Sequence, residues 1–354
     1  MNEPDVISSP EGARDLVFKN EISRPNGLEM TSLIRLGTGL LEEAGIERPQ
    51  WVAEQLLSER IGCLPVDLYV CDIKVLEGDR LLYRADVAAR ANGVPLQYLL
   101  GTADFYGRRF AVGPGVFNPR PETEILVDVA LELLPLTLPS PQRGEGKDES
   151  ALSPSRGEGK DESALSPSRG EGKDESALSP SGGEGQGEGA VVADVGAGSG
   201  AIAVTLAKER PELDLVAVER SSVALHFARR NALTHGCGIH FVHGNLLEGI
   251  SPGSLDAIVA NPPYLNPAQA REWPRELAWE PWLALDGGSA GLALFARLIA
   301  QAGAVLKPSG WMALEIGMDQ ADGVRGLAEQ NGFRVERIVK DLANLDRVAV
   351  LWKN

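Results

Sequence analysis

The apolar side chains of this chain follow three spacings, and each spacing predicts a different architecture. Residues 31 to 94 place apolar side chains every three or four positions, as at Leu33, Leu36 and Leu40, which predicts a small helical bundle. Residues 95 to 118 interleave aromatic and valine side chains with glycines, which predicts a β-hairpin connector. In the remainder, short apolar runs alternate with amphipathic ones, and this alternation is typical of an α/β domain.

The predicted α/β domain spans residues 119 to 354 and contains seven apolar runs that indicate strands. The last two runs favour a closing antiparallel hairpin, so we expect a seven-stranded sheet with a reversed last pair. The predicted strands are Ala190–Val195, Leu213–Val218, Ile239–His243, Leu255–Ala260, Gly310–Ile316, Phe333–Val339 and Arg347–Trp352. The predicted helices are Ile125–Leu134, Ala201–Lys208, Val223–His235, Leu292–Leu306 and Gln320–Gln330.

The first 30 residues show no pattern that predicts a helix or a strand. Residues 1 to 30 are polar, contain three prolines and show no periodicity, which predicts a disordered leader. Met30 directly precedes the first amphipathic pattern, so we expect Met30 to be the natural start of the protein.

A tandem repeat interrupts the α/β domain between its first helix and its first strand. Residues 139 to 190 repeat a 13-residue unit, LSPSRGEGKDESA, closely in the middle copies and more loosely at the ends. The unit carries one leucine and no aromatic residue, so it cannot bury a core. We predict a disordered insertion that loops out of the fold, with a protein-binding tail as the alternative.

Composition narrows the choice of partners. The chain has 50 acidic and 34 basic residues and a net charge of −16, which disfavours direct binding of nucleic-acid phosphates. Its three cysteines form no C-x-x-C pair and suit a reducing compartment, so we expect a cytoplasmic protein. The histidines lack ligand partners at zinc-binding spacing, and no apolar run is long enough to span a membrane. Neither a metal nor a membrane partner is expected.

A glycine-rich loop follows the first predicted strand of the sheet and precedes a helix. The loop is Gly196-Ala197-Gly198-Ser199-Gly200. Glycines let the backbone approach a ligand, and the helix start presents free N–H groups. The next strand ends in Glu219, whose carboxylate can accept both hydroxyls of a ribose. The G-x-G-x-G spacing favours S-adenosylmethionine over a dinucleotide; the alternative is a tight turn in an ordinary βαβ unit.

Two further strand ends carry candidate binding residues. Asn245 and Leu246 follow the third predicted strand, where they would reach an adenine ring. The fourth strand runs directly into Asn261-Pro262-Pro263-Tyr264. The two prolines end that strand and stiffen the turn, because neither can donate to a ladder of hydrogen bonds. The carboxyl ends of strands in open α/β sheets bind ligands, so the four strand ends are expected to converge on one site.

The proline-bracketed turn predicts a binding site for a planar group that carries an NH2. The Asn261 side-chain oxygen and the Pro262 carbonyl offer two acceptors, Tyr264 offers a flat face, and Pro263 fixes the backbone between them. Asn261 is also expected to contact the cofactor. A plain surface turn is the alternative, since Asn-Pro and Pro-Pro are common turn dipeptides.

These motifs together resemble the protein-(glutamine-N5) methyltransferases that act on peptide-chain release factors, the PrmC/HemK group. The resemblance covers roughly residues 31 to 134 and 190 to 354. Besides the glycine loop and the proline-bracketed turn, the motifs that carry it are Pro95-Leu96-Gln97-Tyr98 with Gly101, and Pro119-Arg120-Pro121-Glu122-Thr123-Glu124. Adenine-N6 DNA methyltransferases share the turn, whereas the second of these motifs is far more specific to the group.

The resemblance implies a class I S-adenosylmethionine-dependent methyltransferase, with a seven-stranded Rossmann-like sheet and a helical bundle that binds substrate. It implies methyl transfer to the glutamine of the GGQ motif of class 1 release factors. Phe117 and Tyr264 would then sandwich the substrate amide, while Arg120 and Glu122 would shape the pocket. Two residues depart from the group: Asn118 replaces an aliphatic residue, and Asn245 stands where an acid is common.

Two other classes of function compete with this interpretation. A nucleic-acid methyltransferase could hold an adenine in the same turn, but it would need a basic groove or a target-recognition domain, and neither is visible in the sequence. A non-enzymatic binding module built on the helical bundle and the repeat would not need the glycine loop, Glu219 and the turn together.

Overall fold

The computed structural model of the protein describes residues 26–134 and 189–354. The expected leader up to residue 25, the expected start of the repeat and most of its length lie outside the described residues. The first helix begins at Asn26, so residues 26–30 belong to a helix and not to a disordered leader. Met30 lies inside that helix with its side chain buried.

Five helices form the N-terminal region. They are α1 (Asn26–Glu43), α2 (Pro49–Ile61), α3 (Asp67–Val70), α4 (Glu77–Ala91) and α5 (Leu96–Leu100). Leu41, Leu56 and Tyr83 are buried where α1, α2 and α4 meet, and the Tyr83 hydroxyl donates to the Leu33 carbonyl at 3.1 Å. Helix-spaced apolar residues therefore form the core of this region, as the sequence pattern predicts.

The β-hairpin connector is confirmed. Strands β1 (Thr102–Phe105) and β2 (Arg108–Ala111) pair antiparallel through a two-residue turn. Both turn residues, Tyr106 and Gly107, have positive φ (50° and 68°), as a turn that follows the right-handed twist of the strands requires. Short helix α5 precedes the hairpin and was not predicted, because five residues are too few to show a helical period.

The remaining helices and strands form the α/β domain. The helices are α6 (Thr123–Leu133), α7 (Ala201–Glu209), α8 (Ser222–His235), α9 (Ala293–Val305) and α10 (Ala321–Gln330). The strands are β3 (Val191–Val195), β4 (Asp214–Glu219), β5 (His240–His243), β6 (Leu255–Ala260), β7 (Leu306–Glu315), β8 (Phe333–Lys340) and β9 (Asp346–Lys353). Each predicted strand is present, with ends that differ by a few residues.

The seven strands form one mixed sheet in the order β5-β4-β3-β6-β7-β9-β8. The first five run parallel, and β9 runs antiparallel to both of its neighbours. The last two strands make the predicted hairpin, with the final strand inserted next to β7. From β3 the chain first moves to β4 and β5 and then returns to β6 on the other side, so the sheet has its switch point between β3 and β6.

Helices cover both faces of the sheet, which explains why its central strands are apolar on both sides. Val192 and Val259 face the cluster that contains α6, α7 and α8. Ala193 and Ile258 face the opposite cluster, which contains α9 and α10. Successive residues of β3 and β6 thus point to opposite cores, and the carboxyl ends of these strands are left as the open edge of the domain.

One buried asparagine joins the hairpin connector to the glycine loop. Asn231 of α8 is 1% exposed and accepts from Ala111 N at 2.8 Å. Its Nδ2 donates to the carbonyls of Ala111 at 3.0 Å and Ser199 at 2.8 Å. The side chain therefore satisfies three backbone groups from two segments that are far apart in sequence, and it fixes the connector against the loop.

Asn231→Ala is expected to destabilise the fold. Each buried polar group left without a partner costs about 1–3 kcal/mol, so we expect the free energy of unfolding to fall by roughly 2–4 kcal/mol in urea titration. Asn331→Ala is the matched control, because the hydrogen bond from the Asn331 side-chain amide to the Leu327 carbonyl is exposed. That variant should stay within about 0.5 kcal/mol of the parent. Equal stabilities of the two variants would contradict the role assigned to Asn231.

Candidate active site

A cavity of about 350 Å³ lies at the carboxyl ends of the parallel strands. It brings together nearly all the residues singled out from the sequence. Those that line it are Phe117, Arg120, Gly196, Ala197, Gly198, Ser199, Glu219, Asn245, Leu246, Asn261, Pro262, Pro263 and Tyr264. Two expected site residues do not line it. Glu122 is exposed at the start of α6, and Gly200 begins α7 against Ala228 of α8.

The glycine loop is closed by hydrogen bonds to the neighbouring strand. Gly196 N and Ala197 N both donate to the Val218 carbonyl, at 2.8 and 3.1 Å. Gly196, Gly198 and Gly200 all have positive φ, a conformation that L-residues rarely adopt. A Cβ added to Gly196 would meet no atom within 4 Å, and Gly196 lines the cavity, so the backbone of the loop is accessible to a ligand there.

Glu219 connects the loop to the end of β4. Its Oε2 accepts from Gly198 N at 2.8 Å and its Oε1 accepts from Ser221 N at 2.7 Å. The residue is 9% exposed and lines the cavity. Each carboxylate oxygen has two lone pairs, so both oxygens can still accept a ligand hydroxyl. Glu219 therefore shapes the loop and presents acceptors at once.

Asp194 is a buried acid behind the glycine loop that the sequence analysis did not single out. Its Oδ2 accepts from Ala203 N at 3.0 Å, and its Oδ1 is buried with no hydrogen-bond partner among residues 26–134 and 189–354. Burial raises the pKa of Asp194 to about 7, and the charge of Glu219 adds to the shift. The sequence did contain a signal for Asp194, because it is the one acid in an otherwise apolar predicted strand.

The proline-bracketed turn meets α6 and β7. Asn261 Nδ2 donates to Thr123 Oγ1 at 3.0 Å, and the Tyr264 hydroxyl donates to Glu315 Oε1 at 3.2 Å. The Tyr264 carbonyl accepts from Gln320 Nε2 at 2.9 Å, and this hydrogen bond fixes the backbone of the turn. Asn261 thus lines the same cavity as the glycine loop while its Nδ2 is held by Thr123.

Glu315 ends β7 directly beneath this turn and is 1% exposed. Burial raises the pKa of Glu315 to about 7, while hydrogen bonds from Thr123 and Tyr264 and the charge of Arg347 oppose the shift. Neither Thr123 nor Glu315 was predicted as a site residue. In the sequence, Thr123 is one residue of the Pro119–Glu124 motif, and Glu315 lies in the predicted strand Gly310–Ile316.

A segment between β6 and α9, which we call the roof (residues 266–292), covers one side of the cavity. Leu277, Pro281 and Leu283 of the roof line the cavity. The roof contains short 3-10 turns rather than longer helices. Trp279 and Trp282 are 40% and 52% exposed, so these tryptophans lie on the outer side of the roof and do not pack in the core.

Ion pairs with two arginines hold the roof. Glu280 accepts from Arg120, and also from Asn118 N at 3.3 Å and Asn118 Nδ2 at 3.5 Å. Burial raises the pKa of Glu280, and the Arg120 charge opposes the shift. The Arg120 guanidinium also lies 5.0 Å from the centre of the Phe117 ring. On the other side, Arg90 of α4 pairs with Glu276 of the roof.

Asn118, which stands where the resembled group has an aliphatic residue, has a partner in this structure: its side-chain amide donates to Glu280. Asn118 is fully buried, and its Oδ1 has no hydrogen-bond partner in the described part of the chain. The other departure, Asn245, donates through Nδ2 to Glu248 Oε1 at 3.0 Å. Asn245 still lines the cavity.

Two further features are absent from the described residues, a metal-binding cluster of side chains and a membrane-spanning helix. Residues 26–134 and 189–354 contain no group of three His, Cys, Asp or Glu side chains that could hold a metal ion. Within the same ranges, no helix is long and apolar enough to cross a membrane.

The strand order, the glycine loop after β3 and the acid at the end of β4 define a class I methyltransferase. A family model described as the methyltransferase small domain matches residues 184–275. A second model, described as the PrmC N-terminal domain, matches residues 32–101.

Curated relatives cover nearly the whole chain. A release factor glutamine methyltransferase of Geobacter sulfurreducens is 34% identical over 88% of this chain and 92% of its own length. Proteins of the same name from Neisseria gonorrhoeae and Koribacter versatilis are 36% and 34% identical, over 77% and 88% of this chain and 82% and 93% of their own lengths. The chain therefore belongs to the release factor glutamine methyltransferase family.

Asp194→Asn is expected to change how stability depends on pH. The pKa of Asp194 is about 7 in the folded protein and 3.8 for an ordinary aspartate, so the folded state holds a proton that the unfolded chain releases. The free energy of unfolding therefore falls as the pH rises between these values. Asparagine should remove this loss, and the variant should gain roughly 1–4 kcal/mol relative to the parent from pH 4 to pH 7.

Urea titrations across that pH range provide the measurement for Asp194→Asn. Asp319→Asn, at an exposed position, controls for the general effect of losing one negative charge. A stability difference between Asp194→Asn and the parent that stays constant with pH would contradict the assignment of a buried, protonated Asp194.

Glu280→Gln is expected to loosen the roof. The carboxylate side chain is fully buried against Arg120, so loss of its charge should cost about 1–3 kcal/mol of stability. Tryptophan fluorescence should change with it, because three tryptophans lie on the roof. Glu248→Gln is the control, since its pair with Arg297 is exposed and 3.8 Å long. Matching effects of the two changes on stability and fluorescence would refute the role of Glu280.

Proposed function

We propose that this chain transfers a methyl group from S-adenosylmethionine to the side-chain amide nitrogen (N5) of the GGQ glutamine of class 1 peptide-chain release factors. The observation that carries the proposal is the Asn261 carboxamide, placed in one cavity with the glycine loop and aimed by a hydrogen bond from its own Nδ2. The names of the relatives support a release factor as the substrate.

The cavity fits the proposed cofactor on one side. The open backbone edge at Gly196 and the carboxylate of Glu219 suit an amino-acid chain and a ribose. Ile202, Val218 and Leu246 add apolar wall for an adenine ring. When bound there, S-adenosylmethionine supplies an electrophilic methyl group on a sulfonium ion. These residues bind and orient it and take no part in proton transfer.

The proline-bracketed turn fits the acceptor amide. The nitrogen of a carboxamide is a poor nucleophile because its lone pair is delocalised into the carbonyl. Asn261 Oδ1 and the Pro262 carbonyl can accept the two N–H protons of the substrate amide, which holds its nitrogen in place and aims it along one line. Positioning of this kind can contribute about 7–11 kcal/mol to lowering a barrier.

We expect Tyr264 and Phe117 to sandwich the substrate amide, since both line the cavity. Tyr264 is fixed through its hydroxyl to Glu315, and Phe117 is backed by the Arg120 guanidinium. A flat slot of this kind favours a planar group and excludes water from it. The extra proton of the methylated nitrogen leaves after transfer, so no side chain of the turn has to act as a base beforehand.

Asn261→Ala is expected to lower kcat at least about 1,000-fold, because loss of one preorganised hydrogen-bonding group at a reacting atom costs about 100- to 1,000-fold and the rest of the amide grip fails with it. Transfer of labelled methyl from S-adenosylmethionine to a release factor is the readout. Cofactor affinity, measured by calorimetry, should remain close to that of the parent. Near-normal turnover by Asn261→Ala would rule out this mechanism.

The same assay separates the proposal from a nucleic-acid methyltransferase with an adenine in the turn. Release factor, DNA and RNA are each offered with labelled S-adenosylmethionine, and label is expected on the release factor alone. A release factor whose GGQ glutamine is changed to alanine should take up none. Label on DNA or RNA instead would support the alternative, which the net charge of −16 disfavours.

A further inference from the structure

Thr123 does not serve the helix that it begins. The N-cap position of α6 is held by Glu122, and no side-chain cap is formed there. Thr123 instead faces inward with 4% of its surface exposed and accepts from Asn261 Nδ2 at 3.0 Å. Thr123 directly follows the exposed Glu122, yet its side chain contacts a residue 138 positions away in the sequence.

Asn261 needs such a contact because its side chain has two ends of nearly the same shape. One end is a carbonyl acceptor and the other an NH2 donor, and a half-turn exchanges them. The proposed function requires the oxygen to face the substrate amide. With the NH2 in its place, the site would present donors to donors. Some neighbour must therefore select the orientation.

Thr123 alone cannot select it, because a hydroxyl both donates and accepts. The selection comes from Glu315, whose buried carboxyl lies close enough to Thr123 to accept a hydrogen bond from its hydroxyl. Glu315 Oε1 already accepts from Tyr264, and Oε2 is buried with no hydrogen-bond partner among the described residues. When Glu315 is ionised, the single hydroxyl proton of Thr123 can rotate toward this unsatisfied acceptor, which leaves only the Thr123 lone pairs for Asn261.

We infer that Thr123, with its proton committed to Glu315, orients the Asn261 amide so that Oδ1 faces the cavity. Thr123 is thereby a positioning residue of the methyl-transfer site, and Glu315 orients both Thr123 and Tyr264. The inference rests on the proposed function, because the proposed function gives Asn261 Oδ1 its role as an acceptor.

Thr123→Val tests the inference, since valine has nearly the same shape and no hydroxyl. We expect kcat for release-factor methylation to fall about 100-fold, as a small misplacement of an orienting group can cost that much. The KM for release factor and the affinity for S-adenosylmethionine should change far less. Thr123→Ser, which keeps the hydroxyl, should recover most of kcat. Thr205→Val is the matched control, because Thr205 is fully buried on α7 and does not line the cavity.

A double-mutant cycle separates positioning from a general effect on folding. If Thr123 acts through Asn261, then Thr123→Val combined with Asn261→Ala should be no slower than Asn261→Ala alone. Multiplied losses would show that Thr123 acts elsewhere and would overturn the inference. Melting temperatures of all variants accompany the kinetics. If Thr123→Val does not fold, Glu315→Gln replaces it, because its NH2 can donate to Thr123 and release the hydroxyl proton toward Asn261.

Glu315→Gln, which leaves Thr123 and Asn261 in place, is then expected to lower kcat without loss of cofactor affinity. Unchanged kcat in that variant would contradict the orienting role of Glu315 and with it the inference.

The side-chain amide of Asn261 gives a readout independent of turnover. In protein labelled with ¹⁵N-asparagine, its NH2 signals are identified by their absence from Asn261→Ala. We expect slow exchange with solvent in the parent and in Thr123→Ser, and fast exchange in Thr123→Val. Unchanged signals in Thr123→Val would overturn the inference. An active Asn261→Ala enzyme would instead defeat the proposed function, even where the exchange data still show the bond to Thr123.

Discussion

Parallel pairing of β3 with β6 determines where the functional groups of this molecule can lie. The register matches Asp194 with Val259. Two residues further along each strand come Gly196 and Asn261, so the glycine loop and the proline-bracketed turn emerge side by side. Because the chain leaves β3 in one direction and returns to β6 on the other side, no connection fills the crevice between them. A methyl donor and an amide acceptor can therefore meet without any movement of the sheet.

Four acids lie in the segments that surround the cavity and are almost fully buried, although burying a carboxylate generally costs stability. Asp194, Glu219, Glu280 and Glu315 are all at most 9% exposed. Each accepts hydrogen bonds from a segment other than its own or holds a raised pKa. Each acid thus fixes one wall of the site at some cost in stability. The two large apolar clusters on the faces of the sheet can offset that cost.

Sequence periodicity predicted the sheet and the strand ends, because β-strands and their following loops are local patterns. It could not predict that Thr123 contacts Asn261, or that Glu315 lies next to Thr123 and Tyr264. These contacts join residues more than 50 positions apart, and only the strand order brings them together. The start of α1 at Asn26 was missed because the polar residues before Met30 carry no apolar period. Most of the repeat lies outside the described residues, so its predicted disorder stays a prediction.

The roof links the parts of the fold that the sequence keeps apart. Arg90 of the helical bundle pairs with Glu276, while Arg120 and Asn118 of the connector region meet Glu280 only four residues later. A shift of the bundle would therefore pull on the same short segment that lines the cavity. The Glu280 carboxylate is fully buried against Arg120, whereas the Glu276 side chain that pairs with Arg90 is 40% exposed, so the roof is held more firmly by the connector region than by the bundle. The helical bundle thus contacts the segment that covers the active site, although none of its described side chains lines the cavity.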